Sequence, residues 1–295
     1  MQHWYPYASR TSWFATAVIV LLALASGCDP GDGRRAAAAL AVTAGWERVE
    51  VEGRVFVLHG WLKRGTADRL HVYIEGDGRA FVNPWTPSSD PTPLNPMGLK
   101  LALADPAPSV LYLGRPCQYV TPDSWRNCTF EYWTTARYAP EVVEDMNTAL
   151  DRGKALARAK CLALAGFSGG GGLAVLLAAR RDDVDAIVTV AGNLDHTTWT
   201  TWHALTPLKG SLNPADAAMA VADIAQTHFV GQADKVMPAS VAQAYRKRLP
   251  EATPCRIVPV PGAGHDFPWE RVWPALLQQH APDSWNRTGE GCHGD

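Results

Sequence analysis

The sequence has no excess of charge of either sign: 27 Lys and Arg stand against 29 Asp and Glu, a formal net of -2, with both signs mixed along the chain. Without a basic stripe, nucleic acid is a poor partner. The apolar run near the start, Trp13 to Ala25, is about 13 residues, against the roughly 20 that carry a helix across a bilayer, so a permanent membrane span is not expected. His and Cys are scattered without zinc spacing, and nothing calls for a metal or another cofactor. No internal repeat or low-complexity block interrupts the chain, which excludes repeat architectures. What is present is 47% hydrophobic residues over 295 positions, enough for a well-buried core of ordinary size for one α/β domain.

Arg10 precedes the apolar run, and Ser26-Gly27-Cys28 follows it. That order predicts a signal peptide over residues 1–27. Leu24-Ala25-Ser26-Gly27-Cys28 resembles a bacterial lipobox, which implies a lipid anchor on Cys28, export, and a place in the bacterial cell envelope facing the periplasm. Asp29 resembles the residue that retains some such lipoproteins in the inner membrane. Residues 28–44, Gly-rich and charged and then Ala-rich, show no alternation and read as a tether. Six cysteines fit an oxidising compartment. Cys117 and Cys128 share one loop-like stretch and are expected to pair; Cys161 opens an apolar strand and reads as a buried small hydrophobe; Cys255 and Cys292 could bridge the last strand to the tail.

From Trp46 onward strand and helix signals alternate, which predicts an α/β domain over residues 45–295 with a mostly parallel central sheet flanked by helices. Glu47 to Val51 and Arg54 to Trp61 suggest a hairpin. Leu70 to Glu75, Val110 to Leu113, Leu162 to Gly166, Ala186 to Ala191, Thr227 to Val230 and Arg256 to Val260 read as strands. Met97 to Ala104, Pro140 to Ala159, Gly169 to Arg180, Pro238 to Leu249 and Trp269 to His280 read as helices. Three irregular stretches remain, each carrying aromatics: Pro84 to Pro96 with Trp85, Gln118 to Tyr138, and Asn193 to Ala222. They are expected to lie over the site as loop insertions.

Gly166-Phe167-Ser168-Gly169-Gly170 matches G-x-S-x-G between an apolar strand and an apolar helix. A serine on so tight a turn needs small neighbours, and the following helix points its N–H groups toward the reacting atoms. A phosphate loop would end in Gly-Lys-Ser/Thr, whereas Leu173 follows these glycines. The hydroxyl needs a base. His265, in Gly262-Ala263-Gly264-His265 between the last strand and the last helix, supplies one; His196 and His203 are rivals only if their insertion folds back over Ser168. Asp234, just after the strand Thr227 to Val230, is the preferred acid to orient the ring, with Asp195 competing; Asp266 sits too near its own neighbour to serve.

Ser168, Asp234 and His265, in that order and each after a strand, resemble the α/β-hydrolase fold family of esterases, lipases and peptidases, from Trp46 to about His280. The resemblance implies a serine hydrolase cleaving an ester, or less readily an amide, of a small molecule through an acyl-enzyme on Ser168. An acyltransferase using the same triad and a non-catalytic envelope lipoprotein are the alternatives. The family's oxyanion hole implies the N–H of Gly169 and that of Asp77, in Glu75-Gly76-Asp77-Gly78. A carboxylate facing a developing oxyanion would oppose it, so Asp77 and Glu75 must turn away or be neutralised, with Arg79 and Arg115 available. Arg115 either pairs with one of these acids or binds a substrate carboxylate, and Trp85 is the other candidate substrate contact.

Overall fold

The computed structural model describes residues 32–287 and Cys292. The expected signal segment 1–27 and the lipid site Cys28 lie outside the described residues. Among the described residues the first element is helix α1 (Gly33–Thr43). Here the structure departs from the expected tether: the Asp32 carboxylate accepts from the N–H groups of Arg34 and Arg35 at 3.1 and 3.3 Å, a side-chain N-cap that satisfies two orphan donors and starts the Ala-rich run as a helix. Ala37 and Ala41 on its inner face are fully buried.

Strands β1 (Glu47–Glu52) and β2 (Val57–Lys63) form the expected hairpin, and β3 (Arg69–Ile74) follows. A small separate hairpin, β4 (Phe81–Asn83) and β5 (Thr86–Pro87), precedes helix α2 (Met97–Ala104) and strand β6 (Val110–Leu113). Then come α3 (Pro140–Ala157), β7 (Cys161–Phe167), α4 (Gly169–Ala178), β8 (Val184–Val190), α5 (His196–Trp202), β9 (Ala225–Gly231), α6 (Ala239–Arg246), β10 (Cys255–Val260), α7 (Trp269–His280) and the short α8 (Asp283–Asn286). Pro140 opens α3, where its missing N–H would have had no helical acceptor.

Among the described residues the main sheet has eight strands in the order β1-β2-β6-β3-β7-β8-β9-β10. β1, β2 and β6 pair antiparallel to one another in turn, and from β6 to β10 every pairing is parallel. Period-two alternation sorts each strand's side chains between two cores. Leu70, Val72, Ile74, Leu162 and Leu164 join α3, α4 and α6 on one face. Tyr73, Ala163 and Ala165 join α1, α2 and α7 on the other, where the small alanines accompany the large buried rings of Trp269, Trp273 and Trp285. After β3 the chain goes to β6 on one side, and after β7 it goes to β8 on the other. The loops leaving the carboxyl ends of β3 and β7 therefore diverge, and the crevice between them is where open α/β sheets hold ligands.

Cys117 and Cys128 are disulfide-bonded as expected. The other pairing is corrected: Cys161 bonds to Cys292, and Cys255 is a free thiol. The route of the C-terminal segment explains this. Trp285 packs on His71 of β3 with ring centroids 4.4 Å apart, and Arg69 donates to the carbonyl of Arg287 at 2.6 Å. The tail is thus held against β3, whose Arg69 pairs with Cys161 at the start of β7.

Candidate active site

Ser168 links β7 to α4 with φ 51° and ψ -119°, a left-handed conformation that is rare and strained for a side-chain-bearing residue. Its N–H donates to the carbonyl of Val190 at 2.9 Å, and its carbonyl accepts from Gly171 and Asn193 at 3.0 and 2.9 Å, which holds the bend from both sides. The motif's glycines are required by close approach. A Cβ on Gly166 would stand 2.2 Å from the carbonyl oxygen of Gly170, and one on Gly170 would stand 2.2 Å from that of Ile74. The sharp turn brings Ser168 Oγ to the carboxyl edge of the sheet, above the crevice between β3 and β7.

His265, in the loop between β10 and α7, reaches the same place. Its Nε2 is 3.1 Å from Ser168 Oγ and its Nδ1 is 2.9 Å from Asp234 Oδ2. A carboxylate only accepts, so Nδ1 carries the proton and Nε2 is left as the acceptor for the serine hydroxyl. Asp234 is itself fixed, because Oδ1 accepts from the N–H groups of Val236 and Met237 at 2.8 and 2.7 Å and its side chain is fully buried. The three residues, 97 and 31 positions apart in sequence along this chain of contacts, form one continuous hydrogen-bonded line.

The rival residues do other work. Asp195 caps α5, accepting from the N–H groups of Thr197 and Thr198 and from the side chains of Thr198 and Asn213. Burial pushes its carboxyl up, but the bonds from Asn213 and Thr198 outweigh that and hold it below the usual carboxylate range. His203 bonds the carbonyl of Val236, His196 stacks on Tyr138, and Asp266 is exposed.

The loop after β3 closes the other side. A Cβ on Gly76 would lie 3.3 Å from the Ser168 Cβ, and one on Gly169 would lie 2.1 Å from Asp77 Oδ1. Neither the Gly169 nor the Asp77 N–H donates to an acceptor among the described residues. These are the two donors that the family resemblance implies for an oxyanion. The acids of this loop are disposed of as electrostatics requires. Asp77 forms ion pairs with both Arg115 and Arg137, and although burial pushes its carboxyl up, the two guanidinium groups bring it below the ordinary value.

Glu75 turns away from Ser168 and accepts from the N–H groups of Gly76, Gly98 and Leu99 and from the Tyr112 hydroxyl, which ties the loop to the start of α2. Burial raises its pKa.

Of the two readings of Arg115, the structure holds the ion pair. Its guanidinium is only 4% exposed and is engaged by Asp77 and by the carbonyl of Arg137, so the substrate-binding role is corrected. Arg79 makes no ion pair among the described residues; its N–H donates to Pro91. Trp85 stands 89% exposed at the tip of the β4–β5 hairpin. Arg137, which sequence reasoning missed, offered no signal beyond its charge, since the irregular stretch that carries it shows no period.

A cavity of about 750 Å³ lies elsewhere, lined by Arg69, His71, Asp105 and Trp285 among others. Both ring nitrogens of His71 are engaged there, with Asp105 at 2.8 Å and the Trp285 carbonyl at 3.1 Å, so it offers no free base. Among the described residues, the grouping of Cys161, Asp185 and Cys292 has metal-like spacing, but the two sulfurs are in a disulfide and Asp185 pairs with Arg69.

The sequence matches the dienelactone hydrolase family over residues 119–290, more than half of the chain, a span that contains Ser168, Asp234 and His265. The chain belongs to the dienelactone hydrolase family. Membership makes it a hydrolase and points to a small-molecule substrate. No curated protein matches the sequence. Solved structures agree on the α/β serine hydrolase fold of this dienelactone hydrolase-family chain. An α/β serine hydrolase homologue from Coxiella burnetii is 17% identical, with TM-score 0.56 over 80% of this chain and 97% of that one. A lidless α/β serine hydrolase from Xanthomonas campestris is 12% identical, with TM-score 0.51 over 80% and 95%. Est1E from Butyrivibrio proteoclasticus, with ferulic acid bound, is 14% identical, with TM-score 0.58 over 78% and 96%.

Proposed function

We propose that this family member is a serine esterase that acts through an acyl-enzyme on Ser168. The observation that carries the reading is the unbroken line from Ser168 Oγ through His265 to Asp234, set on a strained turn beside two N–H groups that have no acceptor among the described residues. Ser168 Oγ attacks the ester carbonyl as its proton passes to His265 Nε2, and the imidazolium is stabilised by Asp234. The carbonyl oxygen, now anionic, takes the N–H groups of Gly169 and Asp77. His265 returns the proton to the departing alkoxide, and a water molecule repeats the sequence to release the acid and restore the serine. The paired Asp77 carboxylate does not oppose the oxyanion, because two guanidinium groups offset its charge. Trp85, exposed on the hairpin that follows the oxyanion loop, is proposed as a contact for the part of the substrate that projects from the site.

The test is hydrolysis of p-nitrophenyl esters of increasing acyl length by wild type and Ser168→Ala. Turnover that requires Ser168 supports the reading; equal rates in the two proteins contradict it. The N-terminal pattern supports a second proposal, that Cys28 is lipidated and holds the enzyme in the bacterial envelope. Radiolabelled palmitate incorporated by wild type but not by Cys28→Ser would support it, and equal incorporation would overturn it.

A further inference from the structure

We infer that Arg137 is a positioning residue for the oxyanion loop, one link in a closed ring of contacts that joins Asp77 to the triad acid around Ser168. The inference rests on the serine hydrolase reading above. Asp77 must be held in place because its carboxylate lies against Gly169: Oδ1 occupies the space where a Gly169 Cβ would be, and Arg115 Nη1 stands 2.6 Å from that same position. A small shift of the Asp77 backbone would displace one of the two proposed oxyanion donors. Both guanidinium groups offset the Asp77 charge, but charge balance alone does not account for the further contacts that Arg137 makes.

What Arg137 adds is attachment. Its Nη1 pairs with Asp77 Oδ2, its Nε donates to the carbonyl of Thr134 at 2.6 Å, and its own carbonyl accepts from Arg115. Its guanidinium carbon lies over the ring of Trp199 on α5, 5.5 Å from the centroid. Trp199 in turn donates its Nε1–H to the carbonyl of Val236 at 2.9 Å, and the Val236 N–H donates to Asp234 Oδ1 at 2.8 Å. Followed onward, the path runs from Asp234 to His265 to Ser168, whose neighbour Gly169 touches Asp77 again. Two segments expected from the sequence to lie over the site, the one carrying Arg137 and the one carrying Trp199, are thereby joined into a brace between the oxyanion loop and the loop that carries Asp234. The side chain is 6% exposed, and its Nε and Nη1 are taken by Thr134 and Asp77, which argues against its being a docking point for substrate.

A residue that places an oxyanion donor acts on the transition state more than on the bound substrate. Replacing Arg137 with Met keeps the apolar stem and Arg115–Asp77, and removes the fork. The expected result is a kcat about tenfold to a hundredfold lower with KM within about twofold, below the loss for deleting a donor outright. Inhibition by phenylboronic acid provides the second readout. Its boron takes the Ser168 oxygen while the hydroxyl proton passes to His265, and a boronate oxygen then occupies the oxyanion position, so its inhibition constant should rise by a similar factor. Arg137→Lys, which retains the cation but cannot reach Asp77 and Thr134 while covering Trp199, should show the same split in smaller measure and decides the matter if the Met variant does not fold.

Wild-type kcat and wild-type boronate affinity in these variants, with only thermal stability reduced, would overturn the inference and leave the serine hydrolase reading standing. Failure of that reading shows differently: wild type itself would neither turn over esters nor bind the boronate in a Ser168-dependent way, and the inference would fall with it.

Discussion

At the scale of single residues, the distinction that matters most is between two aspartates of similar promise. Asp234 is buried, fixed by two backbone N–H groups and bonded to His265, whereas Asp195 is bound up in capping α5. Asp234→Asn would offer the ring the wrong partner and is expected to lower kcat about 10⁴-fold by analogy with serine proteases. Asp195→Asn keeps a good N-cap residue and should leave kcat near wild type, with stability lower by less than about 1 kcal/mol. Steady-state kinetics on the pair checks both, and a reversal of the two effects would make Asp195 the acid. The meeting of Ser168, His265 and Asp234 was legible in the sequence because each follows a strand whose apolar pattern is plain, and parallel strands deliver their ends to one edge. Arg137 was not legible, because its partners lie far apart in sequence, in the loop after β3 and on α5, and its contacts exist only once its own irregular segment has folded over the sheet.

At the scale of elements, local signals succeeded where side-chain period or a breaker marked the boundary. Met97–Ala104, Val110–Leu113 and Trp269–His280 fall where the pattern placed them. They failed where a long-range contact decides. Helix α1 has an alanine run without period, and its helical state depends on the Asp32 cap and on Ala37 and Ala41 meeting the core. The Cys161–Cys292 bond follows from where Trp285 docks, which cysteine spacing does not reveal. This bridge spans 131 positions, for which the chain-entropy model gives up to about 5 kcal/mol of stabilisation at 25 °C. Cys292→Ser in otherwise oxidised protein should therefore lower the denaturation midpoint markedly while leaving Ser168, on the opposite edge of the sheet, active under native conditions. Cys255→Ser should do little to either, since burial pushes the Cys255 thiol up to about 11 and it is in no disulfide. Chemical denaturation of the two variants separates the observed pairing from the one expected from sequence.

For the molecule as a whole, acid is the natural stress, and His228 gives it a defined window. Buried within β9 between β8 and β10, it bonds Thr189 at 2.9 Å and Gln226 at 3.2 Å, and burial lowers its pKa from 6.5 to about 3. The unfolded chain takes up this proton below about pH 6.5, while the folded protein resists it down to about pH 3. Stability from the neutral ring is thus fully present above pH 6.5 and declines as pH falls through that interval, by up to about 1.4 kcal/mol per pH unit. Replacing His228 with Gln should flatten the acid limb of the stability curve measured by denaturant titration; an unchanged slope would contradict the assignment.

The same whole-molecule view explains why one strained serine can be maintained at the sheet edge: two large cores on either face hold β3 and β7 in register, and the bend between β7 and α4 has no room to relax. The most direct test of the account is labelling with a fluorophosphonate followed by mass-spectrometric mapping. One phosphonyl group per chain on Ser168, absent from Ser168→Ala and strongly slowed in His265→Ala, is the predicted result. No labelling of the folded wild type, or a label that persists in Ser168→Ala, would contradict it.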